Sequence, residues 1–323
     1  MIKKRREKSV RLETCEAGCR RVPSNHPSYP QLEAETGRLQ AGYRGEKALD
    51  YYLTFLPHDN YQIFHGLRLE DHKNRYFQMD TLLLTFSHCL ILEAKNITGE
   101  LEFDEKCHQL KRKTSDGYEA LGDPISQVER HKYQLTHWLE HHFGKKIPVI
   151  GQVVLTNKHA TLISATSSLM NKVTFHTNLP NKISKINENF PSSILNEKEL
   201  RKIARTLVKK HTPDSFLLLD FFKIKKSEKK NGVICPECAH CPMKKKRMNW
   251  LCLECGLISQ TAHYDALDDY KRLLGSAIST SQAMEYLQLN SRMTSLRILK
   301  SMDLHFDGNG KSRVYYLEGW HIA

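Results

Sequence analysis

FQMDTLLLTFSHCLILEAK, residues 77–95, holds two apolar runs broken near Phe86-Ser87-His88. Leucine-rich or β-branched runs of this length, separated by a short polar break, predict two strands joined by a tight turn. The turn folds Asp80 back beside Glu93 and Lys95. Side chains alternate along a strand, so Glu93 and Lys95 share one face and Ala94 takes the other. Two carboxylates and a lysine then converge at the end of a hairpin. Such a set binds a hard divalent cation through oxygen and places an ammonium beside an attacking water. The plainer reading of Glu93 and Lys95 is a surface ion pair, which contributes little. Ile91, Leu92 and Ala94 argue against it, because they mark a buried strand where unpaired charge is costly.

The flanking sequence extends the pattern. Gly42-Tyr43-Arg44-Gly45-Glu46 opens an amphipathic stretch with Ala48, Leu49, Tyr52, Leu53 and Leu56 at helical spacing. Downstream, Asp123-Pro124-Ile125-Ser126-Gln127 reads as a helix start with a glutamine one turn in. These pieces, in this order, resemble the PD-(D/E)xK nuclease superfamily and, within it, the nuclease-related domain (NERD) family. The resemblance runs from about Gly42 to at least Asn157; Thr81 and Ile97-Thr98 depart from it, and none of these is an expected ligand.

The resemblance implies an α/β, restriction-endonuclease-like mixed sheet flanked by helices. It implies that Asp80 and Glu93 hold Mg²⁺ or Mn²⁺, helped by the Ala94 carbonyl. Lys95 orients or deprotonates the attacking water and offsets charge on the scissile phosphate. Glu46 completes the cation's shell or organises its water, and Gln127 orients Lys95 or a phosphate. Gln78 stands two residues from Asp80 on the same strand face, where it could buttress it. His131, one turn beyond Gln127, could face the site but is not counted among its expected residues. His137 and His141 are spaced i, i+4 without a third ligand nearby in sequence, and read as a solvent-facing pair.

The 323 residues, 40% hydrophobic, leave room for two or three domains. Residues 1–40 are polar and contain three prolines, which predicts a loosely packed arm. Residues 41–222 carry the nuclease-like pattern: helix, strands at 61–69, 77–85, 89–95 and 100–103, a long helix at 124–142, a strand at 148–155, a further strand near 172–177, and a helix at 197–210. Residues 223–233 read as a basic linker, 234–260 as a zinc-ribbon-like module and 261–323 as a winged helix-turn-helix-like module. No run reaches the length of a membrane span, and no apolar segment follows the charged MIKKRREKSV, so neither a membrane nor a secretory route is expected. Nine cysteines, four of them in metal-type spacing, favour a reducing cytoplasm over a disulfide framework.

The net charge of +13 points to a polyanionic partner. Nine lysines and arginines against two glutamates lie between Lys223 and Arg247, more than half of that surplus. This run leads into Cys235-x2-Cys238 and Cys252-x2-Cys255, separated by 13 residues. Two such knuckles suit one closed, structural Zn²⁺. Cys241 is a spare thiol and a possible competitor to Cys238. Lys244, Lys245, Lys246 and Arg247, on the excursion between knuckles, are placed to contact phosphates. Thr280–Leu287 and Met293–Met302 read as two helices around the turn Leu289-Asn290-Ser291, followed by a small β-wing at 305–317. In a winged helix the second of these enters a major groove, with Arg292, Ser295, Arg297 and Lys300 as contacts. The sequence thus predicts a metal-dependent DNA nuclease with C-terminal DNA-binding modules and, for cutting two strands, a homodimer. A non-cleaving DNA-binding adaptor and an RNA-directed nuclease are the alternatives.

Overall fold

The computed structural model describes residues 2–57, 60–163 and 166–318. The chain forms two compact units, Met1–Ser9 with Arg38–Asp214, and Val10–Gly37 with Ser215–Ala323. Helix α1 (Val10–Arg21) belongs to the second unit, and α2 (Tyr29–Leu53) contributes residues to both.

The first unit contains strands β1 (Ile2–Lys4), β2 (Gln62–Glu70), β3 (Tyr76–Leu84), β4 (Cys89–Lys95), β5 (Gly99–Asp104), β6 (Gln109–Thr114), β7 (Gly117–Leu121), β8 (Val149–Leu155), β9 (Ala160–Leu162) and β10 (Val173–Phe175). Its helices are α3 (Pro124–Phe143), α4 (Ser167–Lys172), α5 (Leu179–Glu188) and α6 (Glu197–Lys210), besides the shared α2. Six strands form one mixed sheet in the order β1-β2-β3-β4-β8-β10, and β7-β6-β5-β9 form a second. The β3–β4 hairpin closes through Thr85 N–H donating to His88 O at 2.9 Å, in the polar break of the sequence. β4 then pairs in parallel with β8 from Cys89–Val149 to Lys95–Leu155.

Period-two alternation decides which helix each strand residue meets. Leu82, Leu84, Cys89 and Ile91 pack with Leu135 and Leu139 of α3 and with Leu200, Ile203 and Leu207 of α6. Leu83, Leu90 and Leu92 pack on the opposite face with Leu49 and Leu53 of α2 and Leu179 and Ile183 of α5. β4 is covered on both faces, hence its unbroken apolar run. Each such leucine contributes roughly 1.5–3 kcal/mol on burial. Two glycines let helices approach the sheet. A Cβ on Gly151 of β8 would stand 2.0 Å from Val128 Cγ1 of α3, and one on Gly45 of α2 would stand 2.6 Å from Asn96 Cβ. Helix α3 begins where Asp123 accepts from the Ile125 and Ser126 N–H groups, with Pro124 in the first turn.

The second unit contains β11 (Lys244–Lys246), β12 (Asn249–Leu251), β13 (Ile258–Ser259), β14 (Ala277–Ser279), β15 (Phe306–Asp307) and β16 (Val314–Tyr316). Its remaining helices are α7 (Leu218–Phe221), α8 (Ala262–Leu274), α9 (Thr280–Tyr286) and α10 (Arg292–Ser301). β11-β12-β13 is one small sheet and β14-β16-β15 another. The two helices and small wing expected near the C-terminus are present, and residues 319–323 of that segment lie outside the described residues. Trp250, Met243 and Val233 share one core with Leu267, Ile278, Leu299 and Tyr315, so a boundary at residue 260 cuts through packed side chains.

The N-terminal arm and the basic linker are corrected by the structure. Residues 1–40 hold β1, α1 and the start of α2, and Ile224 and Val233 in the presumed linker are buried. The sequence concealed this because α1 buries polar groups. Arg21 is 1% exposed, donating from Nε to Asp269 Oδ2 at 2.7 Å and from Nη1 to Gly232 O at 2.6 Å. Asp269, 2% exposed, also accepts from Arg20 at 2.6 Å. Helix α2 likewise starts at Tyr29, well before Gly42, and the ribbon strands β6 and β7 have no clean alternation that would have announced them.

Asp269→Ala strands the Arg21 charge inside this unit and should cost about 3–5 kcal/mol. The paired replacement Arg21→Met with Asp269→Leu removes both charges and should recover most of that loss. Urea unfolding followed by tryptophan fluorescence, with Trp138→Phe and Trp320→Phe in every chain so that Trp250 alone reports, tests both.

Candidate active site

The β3–β4 ladder ends at Thr81 opposite Leu92, while β4 runs on to Lys95 beside β8. Ala94 N–H therefore has no backbone acceptor on the β3 side. Asp80 supplies one, its Oδ2 accepting at 2.9 Å. The carboxylate is thus fixed at the point where two neighbouring strands part. Glu93 and Lys95 share their strand face with Ile91, so both turn towards the side that α3 covers.

Lys95 Nζ donates to Glu93 Oε1 at 2.8 Å and to Gln127 Oε1 at 3.0 Å. Gln127 Nε2 donates in turn to Glu93 Oε1 at 2.6 Å, closing a three-membered network. Glu93 is 3% exposed, and its Oε2 is buried without a hydrogen-bond partner. His131 Nδ1, also buried and unpartnered, lies 3.8 Å from that oxygen. His131 thus faces the site, which its position one turn after Gln127 could have signalled. Gln78 is exposed. His137 packs edge-on to Tyr133 and takes no part here.

Glu46 reaches the cluster from α2, where Gly45 permits the close approach. Its Oε2 accepts from Arg6 Nη1 at 2.9 Å. Arg6, 5% exposed, also donates to Asp50 Oδ1 at 3.0 Å, to His65 Nδ1 at 2.7 Å, to Thr81 Oγ1 at 2.9 Å and to Asp80 O at 3.3 Å. No reading of the sequence found Arg6, because it stands 40 residues from Glu46 in a segment of no marked periodicity. β1, paired in parallel with β2, carries it there.

Burial, and then charge repulsion, raises the carboxyls of this cluster. Burial, then the charge of Asp80, pushes Glu93 up to about 8 despite Lys95. Burial and Asp80 likewise push Glu46 up to about 8 against the pull of Arg6. Asp80 is itself raised by burial, in spite of Lys95 and the Ala94 N–H. Burial holds His65 and His131 down at about 4, so both are neutral rings. The donor set of Asp80, Glu93 and Glu46 is all oxygen, the kind that suits Mg²⁺ or Mn²⁺. The free Oε2 of Glu93 and the excess of carboxylate over cationic side chain fit such an ion.

In the second unit the four cysteines behave differently. Among the described residues, Cys235, Cys238, Cys252 and Cys255 are the only set of three or more potential ligands whose atoms all lie within 4.8 Å of one another. Sγ atoms of Cys235 and Cys255 are 3.6 Å apart, and those of Cys238 and Cys252 3.5 Å. Tetrahedral Zn²⁺ with Zn–S near 2.3 Å spaces sulfurs by about 3.8 Å, so the thiols are arranged to hold one. The two knuckles share one backbone solution. Ala239 N–H donates to Cys235 O and Gly256 N–H to Cys252 O, with φ of 58° and 74° at the donors. Cys241 stands outside the set, its Sγ donating to Asn231 O at 3.3 Å.

The candidate nucleic-acid contacts divide. Lys244, Lys245, Arg247 and Arg297 line one groove of this unit; Lys246, Arg292 and Lys300 do not line it. Lys245 is held back, its Nζ donating to Met248 O at 3.1 Å and lying 4.7 Å over the Trp250 ring.

A carboxyl group raised on folding binds its proton more tightly in the native state, so it lowers stability as pH rises. For Glu46 the window runs from 4.5 to about 8. Without added divalent cation, Glu46→Gln should gain stability relative to the parent chain across that interval and show no gain below it. Urea midpoints at the two ends of the window check this; zinc-linked changes cancel in the difference.

No curated protein and no solved structure matches the chain. The sequence model of one family, the nuclease-related domain, matches residues 41–156, a span that includes Glu46, Asp80, Glu93, Lys95 and Gln127. Over those residues the chain is similar to the nuclease-related domain, a family of nuclease fold.

Proposed function

We propose that the first unit is a metal-dependent nuclease that hydrolyses DNA phosphodiester bonds, with the second unit binding DNA. The carrying observation is the Lys95–Glu93–Gln127 network beside Asp80, inside the segment that matches a nuclease-related family. Asp80, Glu93 and Glu46 would hold Mg²⁺ or Mn²⁺, which supplies water activation and stabilises charge on the phosphate when bound.

The chain's own residues supply the rest. Glu93 Oε1 and Gln127 Oε1 fix the Lys95 ammonium, which orients the attacking water and balances charge on the scissile phosphate. Arg6 holds Glu46 in place and limits repulsion with Asp80. Cys235, Cys238, Cys252 and Cys255 would close all four positions of a Zn²⁺ ion, so that site would be structural. The reading places the protein in the reducing cytoplasm, where those thiols persist. Among the described residues, no helix is long and apolar enough to cross a membrane. Cutting both strands of a duplex calls for two sites, and a homodimer is part of the reading.

The test is cleavage of supercoiled plasmid, single-stranded DNA and RNA with Mg²⁺, Mn²⁺ or neither. Asp80→Ala and Lys95→Ala should each lower the rate by roughly 10²–10⁴ with zinc content unchanged. Gln127→Ala, which leaves the ammonium its Glu93 partner, should lose less. A wild-type chain that binds DNA and cuts no substrate under any of these ions would make it an adaptor. Cutting confined to RNA would reassign the substrate.

A further inference from the structure

We infer that the groove between the β11–β12 hairpin and helix α10 binds a single strand of nucleic acid. This rests on the nucleic-acid part of the proposed function and is independent of cleavage.

The groove encloses about 1130 Å³. One wall is the β11–β12 hairpin with Lys244, Arg247 and Met248; the other is α10 with Thr294 and Arg297. Tyr264, at the start of α8, lies between them. Four lysines and arginines line the groove, and among the described residues no aspartate or glutamate does. Its charge therefore suits a polyanion. Both walls grow from one hydrophobic core, and Trp250 Nε1 ties the hairpin to His263 of α8 at 3.1 Å, so the groove is formed before any ligand arrives.

Two features select a single strand over a duplex. Met248 is 79% and Leu253 65% exposed, both on the groove. A duplex offers phosphates and groove edges but keeps its base faces stacked. A single strand presents phosphates and unstacked bases together, which is what a cationic groove with apolar and aromatic side chains can use. The groove is also concave and of a size to admit a few nucleotides, whereas a duplex reader projects a helix outward into a major groove about 12 Å wide. The hairpin tip adds a third indication. Arg247 occupies a left-handed conformation, φ 50°, at the first position of a two-residue turn between Lys246 and Asn249. Glycine is the unstrained choice there, and the chain places a cation instead.

The experiment is fluorescence anisotropy of the full chain with a short labelled oligodeoxythymidylate, its oligouridylate counterpart and a duplex of equal length, without added divalent cation and across a salt series. The single strands should bind more tightly than the duplex, and the DNA-to-RNA ratio reports the sugar preference. Arg247→Gly and Arg297→Ala should each weaken single-strand binding by about fivefold near 0.1 M salt. Each should lower the log–log salt slope by about 0.7, the value for one lost phosphate contact. Arg247→Gly relieves the strained turn, so it should unfold no earlier than the parent chain while binding less well. Lys271→Ala, on α8 and outside the groove, should bind as the parent does. Duplex binding equal to or tighter than single-strand binding overturns the inference, as do groove variants that bind like the parent. A chain that binds single strands through this groove yet never cleaves overturns the nuclease reading and supports this one.

Discussion

Charge taken out of water must meet a partner, and both units of this protein are organised around that requirement. In the first, Asp80, Glu93 and Glu46 are withdrawn into one region, with Lys95 on one flank and Arg6 on the other. Two side-chain cations stand against three carboxylates; burial raises all three carboxyls, and repulsion from Asp80 adds to it at Glu93 and Glu46. In the second, Arg21 and Asp269 are buried against each other, and their pairing ties the N-terminal helix to α8. Uncompensated, any of these charges would cost several kcal/mol.

Backbone hydrogen bonding fixes where the first cluster forms. While β3 and β4 remain paired, their residues alternate between two helical layers and no polar group is needed. Where the ladder stops, Ala94 N–H requires an acceptor and Asp80 provides it. β4 continues along β8 and carries Glu93 and Lys95 beyond the end of the hairpin. The same parting of strands that opens the sheet thus orders the carboxylate at its edge. Gly45 and Gly151 let α2 and α3 come close enough to deliver Glu46 and Gln127.

The second unit solves a different problem. Its strands are two or three residues long, too short to bury much by themselves. A four-thiol cluster and a core shared by the hairpin, α8, α9 and α10 take the place of a large sheet. Rigidity there comes from the shared core and the knuckles together, so the basic residues at the hairpin tip and on α10 are held in a fixed relation within this unit.

Local pattern settled much of this from the sequence. The β3–β4 hairpin, the α3 start at Asp123-Pro124, the α6 stripe and the two cysteine knuckles are each encoded within a few residues, by alternation, capping or spacing. Hence the meeting of Asp80, Glu93 and Lys95, and the four-thiol set, were legible. Gln127 was legible through resemblance alone, because no local rule says where a helix docks. Arg6 and His65 were not legible as neighbours of the cluster, nor was α1 as a packed helix. Their positions depend on pairing with segments tens or hundreds of residues away, β1 on β2 and Arg21 on Asp269. A buried arginine in a polar stretch has the sequence signature of a solvated one. The sequence by itself determined the β3–β4 hairpin, α3, α6 and the cysteine knuckles, and the chemistry they carry. Tertiary structure alone decided which distant charge neutralises which, since burial and pairing are properties of the folded chain and not of its neighbours in sequence.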